Sequence, residues 1–167
     1  MSYISRDTKL DYSGDDHVVI DYEWTLDTNA FAVGDVMSAL IELPNAVAVA
    51  GGTGSLVYLQ LYEKAGSGAA QHPTTNIAFF KKSFTPAAIN AAMTYTGPLA
   101  DIVLHEDMNN TFYDLVTGTA MAHEFMLGFP FQAAATETSL WVMLICGAAV
   151  TFTANSKMLL RVCIKRD

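Results

Sequence analysis

The sequence predicts an all-β protein: an antiparallel two-sheet sandwich, jelly-roll-like, with one short helix and an extended N-terminal arm. Three observations carry this. Short runs with alternating or continuous apolar residues recur along the chain, Gly/Pro/Asn loops separate them, and a single segment has the signals of a helix. A closed barrel is the alternative architecture. At 167 residues the chain has the size of one domain, large enough to bury a core without disulfides.

Met1 to Asp27 is polar with scattered aromatics (Tyr3, Tyr12, Tyr22, Trp24), and only Val18 to Tyr22 has the β-branched content of a strand. The expected division is therefore an acidic arm over 1–27 and a β-sandwich domain over 28–167. From Val36 to Leu43 the residues Met37, Ala39, Ile41 and Leu43 alternate with more polar neighbours, a period of two. Gly51-Gly52-Thr53-Gly54 is a turn, and Ser55 to Lys64 follows with Val57, Leu59 and Leu61 expected on one face and Tyr58, Gln60 and Tyr62 on the other. The two segments read as an antiparallel pair.

Asn76 to Lys82 reads as a third strand. The helix expectation falls on Thr85 to Met93, with Thr85 as N-cap and Pro86 in the first turn. Asp101 to His105 and Phe112 to Val116 are further strands. Leu140 to Cys146 is apolar throughout, as in a strand buried on both faces, and Met158 to Ile164 places Met158, Leu160, Val162 and Ile164 opposite Leu159, Arg161 and Cys163.

Composition narrows the function. The chain is 51% hydrophobic and only 16% charged, which leaves apolar surface for other subunits and predicts a homo-oligomer, most plausibly a trimer. Its net charge of −8 opposes direct contact with nucleic acid, where each phosphate contact needs a cation. Acid is concentrated early, with Asp7, Asp11, Asp15, Asp16, Asp21, Glu23, Asp27 and Asp35 against Arg6 and Lys9. Such a segment reads as a solvated or docking arm. Cys146 and Cys163 are expected as buried reduced thiols. No signal-peptide pattern opens the sequence, and the longest apolar stretch, Leu140 to Val150, falls short of the ~20 residues of a membrane helix. Synthesis in the cytosol without membrane insertion is expected.

The search for chemistry yields no catalytic, cofactor or metal residue. His105-Glu106 and His123-Glu124 start like a zinc-protease helix, but the second histidine is replaced by Asn109 and Leu127. Gly51 to Gly54 lacks the lysine of a phosphate loop. Asp15-Asp16 lacks the remaining ligands of a calcium loop, and His17 and His72 stand apart from other ligands. Neither cysteine has electropositive neighbours.

In order, Val33-Gly34-Asp35 to Ala39, Leu43-Pro44, Ala50 to Gly54, Leu59 to Glu63, Phe79-Phe80, and Thr85-Pro86 with Asn90-Ala91-Ala92 resemble small virion proteins of tailed phages, of the β-sandwich capsid decoration (cement) type. Leu140-Trp141-Val142, the turn Phe152 to Ser156 and the closing Leu159 to Val162 fit the same pattern. The long acidic start and Leu104 to Gln132 depart from it. The resemblance implies a non-enzymatic protein on the outer capsid surface, bound to the major capsid protein of the same phage. A second reading is a tail- or head-attached carbohydrate-binding adhesin, with Trp24, Tyr58, Tyr62, Tyr95 and Tyr113 as its aromatic platform.

Overall fold

The structure, a computed structural model, describes residues 10–12, 15–108, 112–124 and 128–167. Among these, eleven strands follow one another: β1 (Leu10–Tyr12), β2 (Asp15–Thr25), β3 (Ile41–Leu43), β4 (Thr53–Lys64), β5 (Thr75–Phe80), β6 (Ile102–Asp107), β7 (Tyr113–Val116), β8 (Thr119–Glu124), β9 (Phe129–Gln132), β10 (Leu140–Cys146) and β11 (Lys157–Arg166). They form two sheets. The larger runs β1-β2-β11-β4-β8-β7, with β9 beside the first half of β4, and the smaller runs β3-β10-β5-β6. Every pairing is antiparallel. The expected two-sheet sandwich is the observed architecture.

The main core lies between the sheets. Val18, Ile20 and Trp24 of β2, Leu59 and Leu61 of β4, and Met158, Leu160, Val162 and Ile164 of β11 face Ile77 and Phe79 of β5 and Leu140, Val142, Leu144 and Cys146 of β10. Strand β10 also buries its other face. Met143, with Trp141 and Ile145, packs in a second apolar cluster with Val36, Phe80, Phe84, Met93 and Tyr95. This explains its uninterrupted apolar sequence.

Several expectations are corrected. The arm expected over 1–27 does not run to Asp27: residues 15–25 form β2, hydrogen-bonded to β11 over ten residue pairs, with three of its side chains in the core. The remainder of that expectation, residues 1–9, lies outside the described residues. The alternation of Val18, Ile20 and Trp24 is the strand signal, masked by the acids on the opposite face.

The helix expected over Thr85 to Met93 is absent; the one helical turn among the described residues is a 3₁₀ turn at Leu99–Asp101. One or two turns barely repay helix nucleation. Here the backbone bonds a neighbouring segment instead. Val36 N–H donates to Ala91 O (3.0 Å), Asn90 N–H to Val36 O (2.9 Å) and Met93 N–H to Gly34 O (2.8 Å), with Asn90 in the left-handed region at φ 63°. Phe84, Met93 and Tyr95 thereby close the second cluster.

The pair expected from Val36–Leu43 and Ser55–Lys64 is also not formed. Its first member contributes only β3, which joins β10 in the smaller sheet, while β4 pairs β11, β8 and β9 in the larger. Along β4, Leu56 and not Val57 enters the core. The register with β11 slips between Cys163 and Ile164, which leaves Val57 with no opposite residue on β11 and shifts the alternation by one.

Candidate functional site

The residues weighed for chemistry are spread over strands. His105-Glu106 lies on β6 and His123-Glu124 on β8, so both dipeptides belong to strands and not to the helix that a zinc-protease motif requires. Asp15 and Asp16 open β2 opposite Tyr12 and Asp11. Among the described residues no three His, Cys, Asp or Glu come together as a metal site. No helix among them is long and apolar enough to cross a membrane. Cys146 and Cys163 are buried free thiols, and burial raises both above the ordinary thiol pKa.

The five aromatics of the platform reading separate. Trp24 is in the core and donates its indole N–H to Met37 O at 3.1 Å. Tyr95 packs edge-on to Phe84, with ring centroids 5.0 Å apart. Tyr58, Tyr62 and Tyr113 do share the outward face of the larger sheet, since register places Tyr62 and Tyr113 on either side of Met121 and Tyr58 beside Cys163.

That face is organised by charge pairs. Arg161 binds both Asp21 carboxylate oxygens, through Nε and Nη2, each at 2.7 Å, and its guanidinium lies 5.8 Å from the Tyr62 ring centroid. The bond to Asp21 raises the arginine pKa further. Lys157 Nζ sits 2.7 Å from Glu23, and the Tyr62 hydroxyl donates to Gln60 Oε1 at 3.1 Å. Glu23, Tyr62, Lys157, Leu159 and Arg161 line a depression of about 320 Å³. Tyr58 titrates above its ordinary value, burial being the larger cause and the Cys163 thiol the next.

The sheet edge beyond β8 is different in kind. Among the described residues strand β7 has one neighbour strand, and three of its side chains are exposed: Tyr113 58%, Leu115 50% and Val116 66%. Its single charge, Asp114, lies 2.8 Å from His72 Nε2, and the His72 ring stacks on Phe112. The His72 loop is fixed from inside by the buried Glu63 carboxylate. The strand expected over Phe112 to Val116 is therefore present, but its place at an edge depends on β8, which the alternation of Ala120 and Ala122 signals only weakly.

No protein-family model matches the chain, and no curated protein does. Among solved structures it is similar to a chain of the capsid of Ralstonia phage GP4, with 18% identity and a TM-score of 0.47 over 97% of this chain and 91% of that one. It is similar to a chain of the cyanophage Pam1 capsid at 11% identity and a TM-score of 0.41, over 96% and 91%. For the acid-stable capsid of Helicobacter pylori bacteriophage KHP30 the values are 14% and 0.34, over 89% and 86%.

Proposed function

We propose that the protein is a non-catalytic structural component of a tailed-phage virion: a decoration, or cement, protein that forms a homotrimer on the outer capsid surface and binds the major capsid protein. The observation that carries the subunit role is the β7 edge. An edge strand that pairs on one side, with Leu115 and Val116 exposed along it, is a template for association, and soluble monomers usually blunt such edges with charge. Here the one charge is paired with His72. The ordered motif resemblance from Val33 to Val162 supports a capsid as the partner, and a net charge of −8 favours a protein shell over packaged DNA.

The test is co-sedimentation of the purified protein with capsids assembled without it, with the mass of the free protein measured by light scattering. Saturable binding and a trimer mass are expected. Failure to bind capsids at any salt concentration overturns the decoration reading, and a monomer that stays monomeric on concentration overturns the trimer.

A further inference from the structure

We propose that the outward face of the larger sheet holds a binding site for a neutral pyranose sugar, in the depression lined by Tyr62, Leu159, Arg161 and the Glu23–Lys157 pair. This does not depend on the capsid role, and a decoration subunit could carry it.

The shape fits first. At about 320 Å³ the depression falls within the range of small-ligand clefts, roughly 300–1,000 Å³. Its wall combines the Tyr62 ring with Leu159, directly opposite it in register, and pyranoses present a C–H face that packs on such surfaces. The Tyr62 ring is held in place, its hydroxyl bonded to Gln60 and its ring near Arg161.

The polar groups are positioned before any ligand arrives. Arg161 uses Nε and Nη2 on Asp21, which fixes the guanidinium and leaves its remaining N–H groups as donors, and the Glu23 oxygens keep lone pairs for sugar hydroxyls. A planar donor beside fixed acceptors matches vicinal hydroxyls, which both donate and accept. Pre-formed pairs also lower the ordering cost of binding.

Charge selects neutrality. The charged groups of the lining are Glu23, Glu63, Lys64, Lys157 and Arg161, and Asp21 bound to Arg161 brings the local balance to zero within a chain of net charge −8. An anionic sugar would meet that field, and a neutral one would not. The Asp21 and Glu23 carboxylates are engaged by cations and lie two residues apart on one strand, so the arrangement suits binding and not hydrolysis.

The experiment is saturation-transfer NMR and calorimetry on the full chain with methyl glucoside, methyl galactoside, methyl mannoside, N-acetylglucosamine and glucuronate. At least one neutral sugar is expected to bind in the micromolar to millimolar range, and more tightly than glucuronate. Tyr62→Ala and Arg161→Gln should each weaken it about tenfold or more, while Tyr62→Phe, which keeps the ring, retains most of the binding. Leu99→Ser, exposed in the 3₁₀ turn outside the depression and the β7 edge, should leave it unchanged, and circular-dichroism melting checks that each variant folds. The proposal is overturned if no neutral sugar binds, if glucuronate binds best, or if folded Tyr62→Ala and Arg161→Gln bind as the wild type does. Capsid co-sedimentation reads the other role separately.

Discussion

The Glu63 carboxylate, wholly buried, accepts the backbone N–H of His72 at 2.8 Å through one oxygen while its other oxygen takes that of Gln71 at 2.7 Å. A strand side chain thus holds a loop whose histidine reaches the β7 edge. Glu63→Gln keeps the size but replaces one acceptor with a donor facing an N–H. The expected loss is about 1–3 kcal/mol, seen as a lower urea midpoint with an unchanged slope.

Two glycines of one loop should respond oppositely in kind. A Cβ on Gly66 would run into the backbone carbonyl of Ala154, where the loop crosses the Phe152–Ser156 turn and Gly66 N–H donates to Ser156 Oγ at 3.0 Å. Gly66→Ala must push the two loops apart and should cost about 1–3 kcal/mol or more. Gly68 has open space around it but sits at φ 74°, so Gly68→Ala should cost about 1–2 kcal/mol through backbone strain alone. Thermal melting of both variants, with a crystal structure or NMR shifts to detect loop movement, separates the mechanisms: movement at Gly68→Ala and none at Gly66→Ala would contradict it.

This pair also shows what is legible in the sequence. Gly66-Ser67-Gly68 and Phe152 to Ser156 are each readable as turns, but their meeting is not, because local chemistry does not encode which turns touch. Strands β4, β5, β10 and β11 are legible because their apolar residues keep a strict period or none. Strand β2 is obscured because Asp21 and Glu23, partners of Arg161 and Lys157 on the outward face, look like the acids of an arm. The proposed sugar depression is half legible: Tyr62 stands out as an aromatic, while Arg161 gains meaning only once register sets it beside Asp21.

Alkaline stability should reflect the thiols. Burial raises the pKa of Cys163, and of Cys146, above the unfolded value of about 8.5. The folded state therefore holds its protons longer. The resulting stability is full below the unfolded pKa and is lost as pH rises through the folded values. Denaturant midpoints should fall above about pH 8.5, and fall less in the double variant Cys146→Ser/Cys163→Ser relative to its own neutral-pH value. A flat profile for the wild type would contradict this, as would fast thiol labelling of the native protein at mild alkaline pH.

Charging the β7 edge should separate subunits without unfolding them. Leu115→Lys and Val116→Lys alter exposed positions, so the melting temperature of dilute protein should change little. The concentration for half-association should rise at least about tenfold, equivalent to about 1.4 kcal/mol of weakened association. Sedimentation velocity reads it, and unchanged association would move the interface elsewhere.

The position of β11 has a consequence for how the protein is made. It is the last of the eleven strands to leave the ribosome, yet it stands between β2, among the first, and β4, and bridges them within the sheet. The larger sheet is therefore two separate pieces until β11 emerges, with Val18, Ile20, Leu59 and Leu61 awaiting the strand that covers the gap. A chain stalled before Lys157 therefore lacks the strand that joins the two parts of the larger sheet, and the order of the strands makes completion of that sheet depend on synthesis through β11.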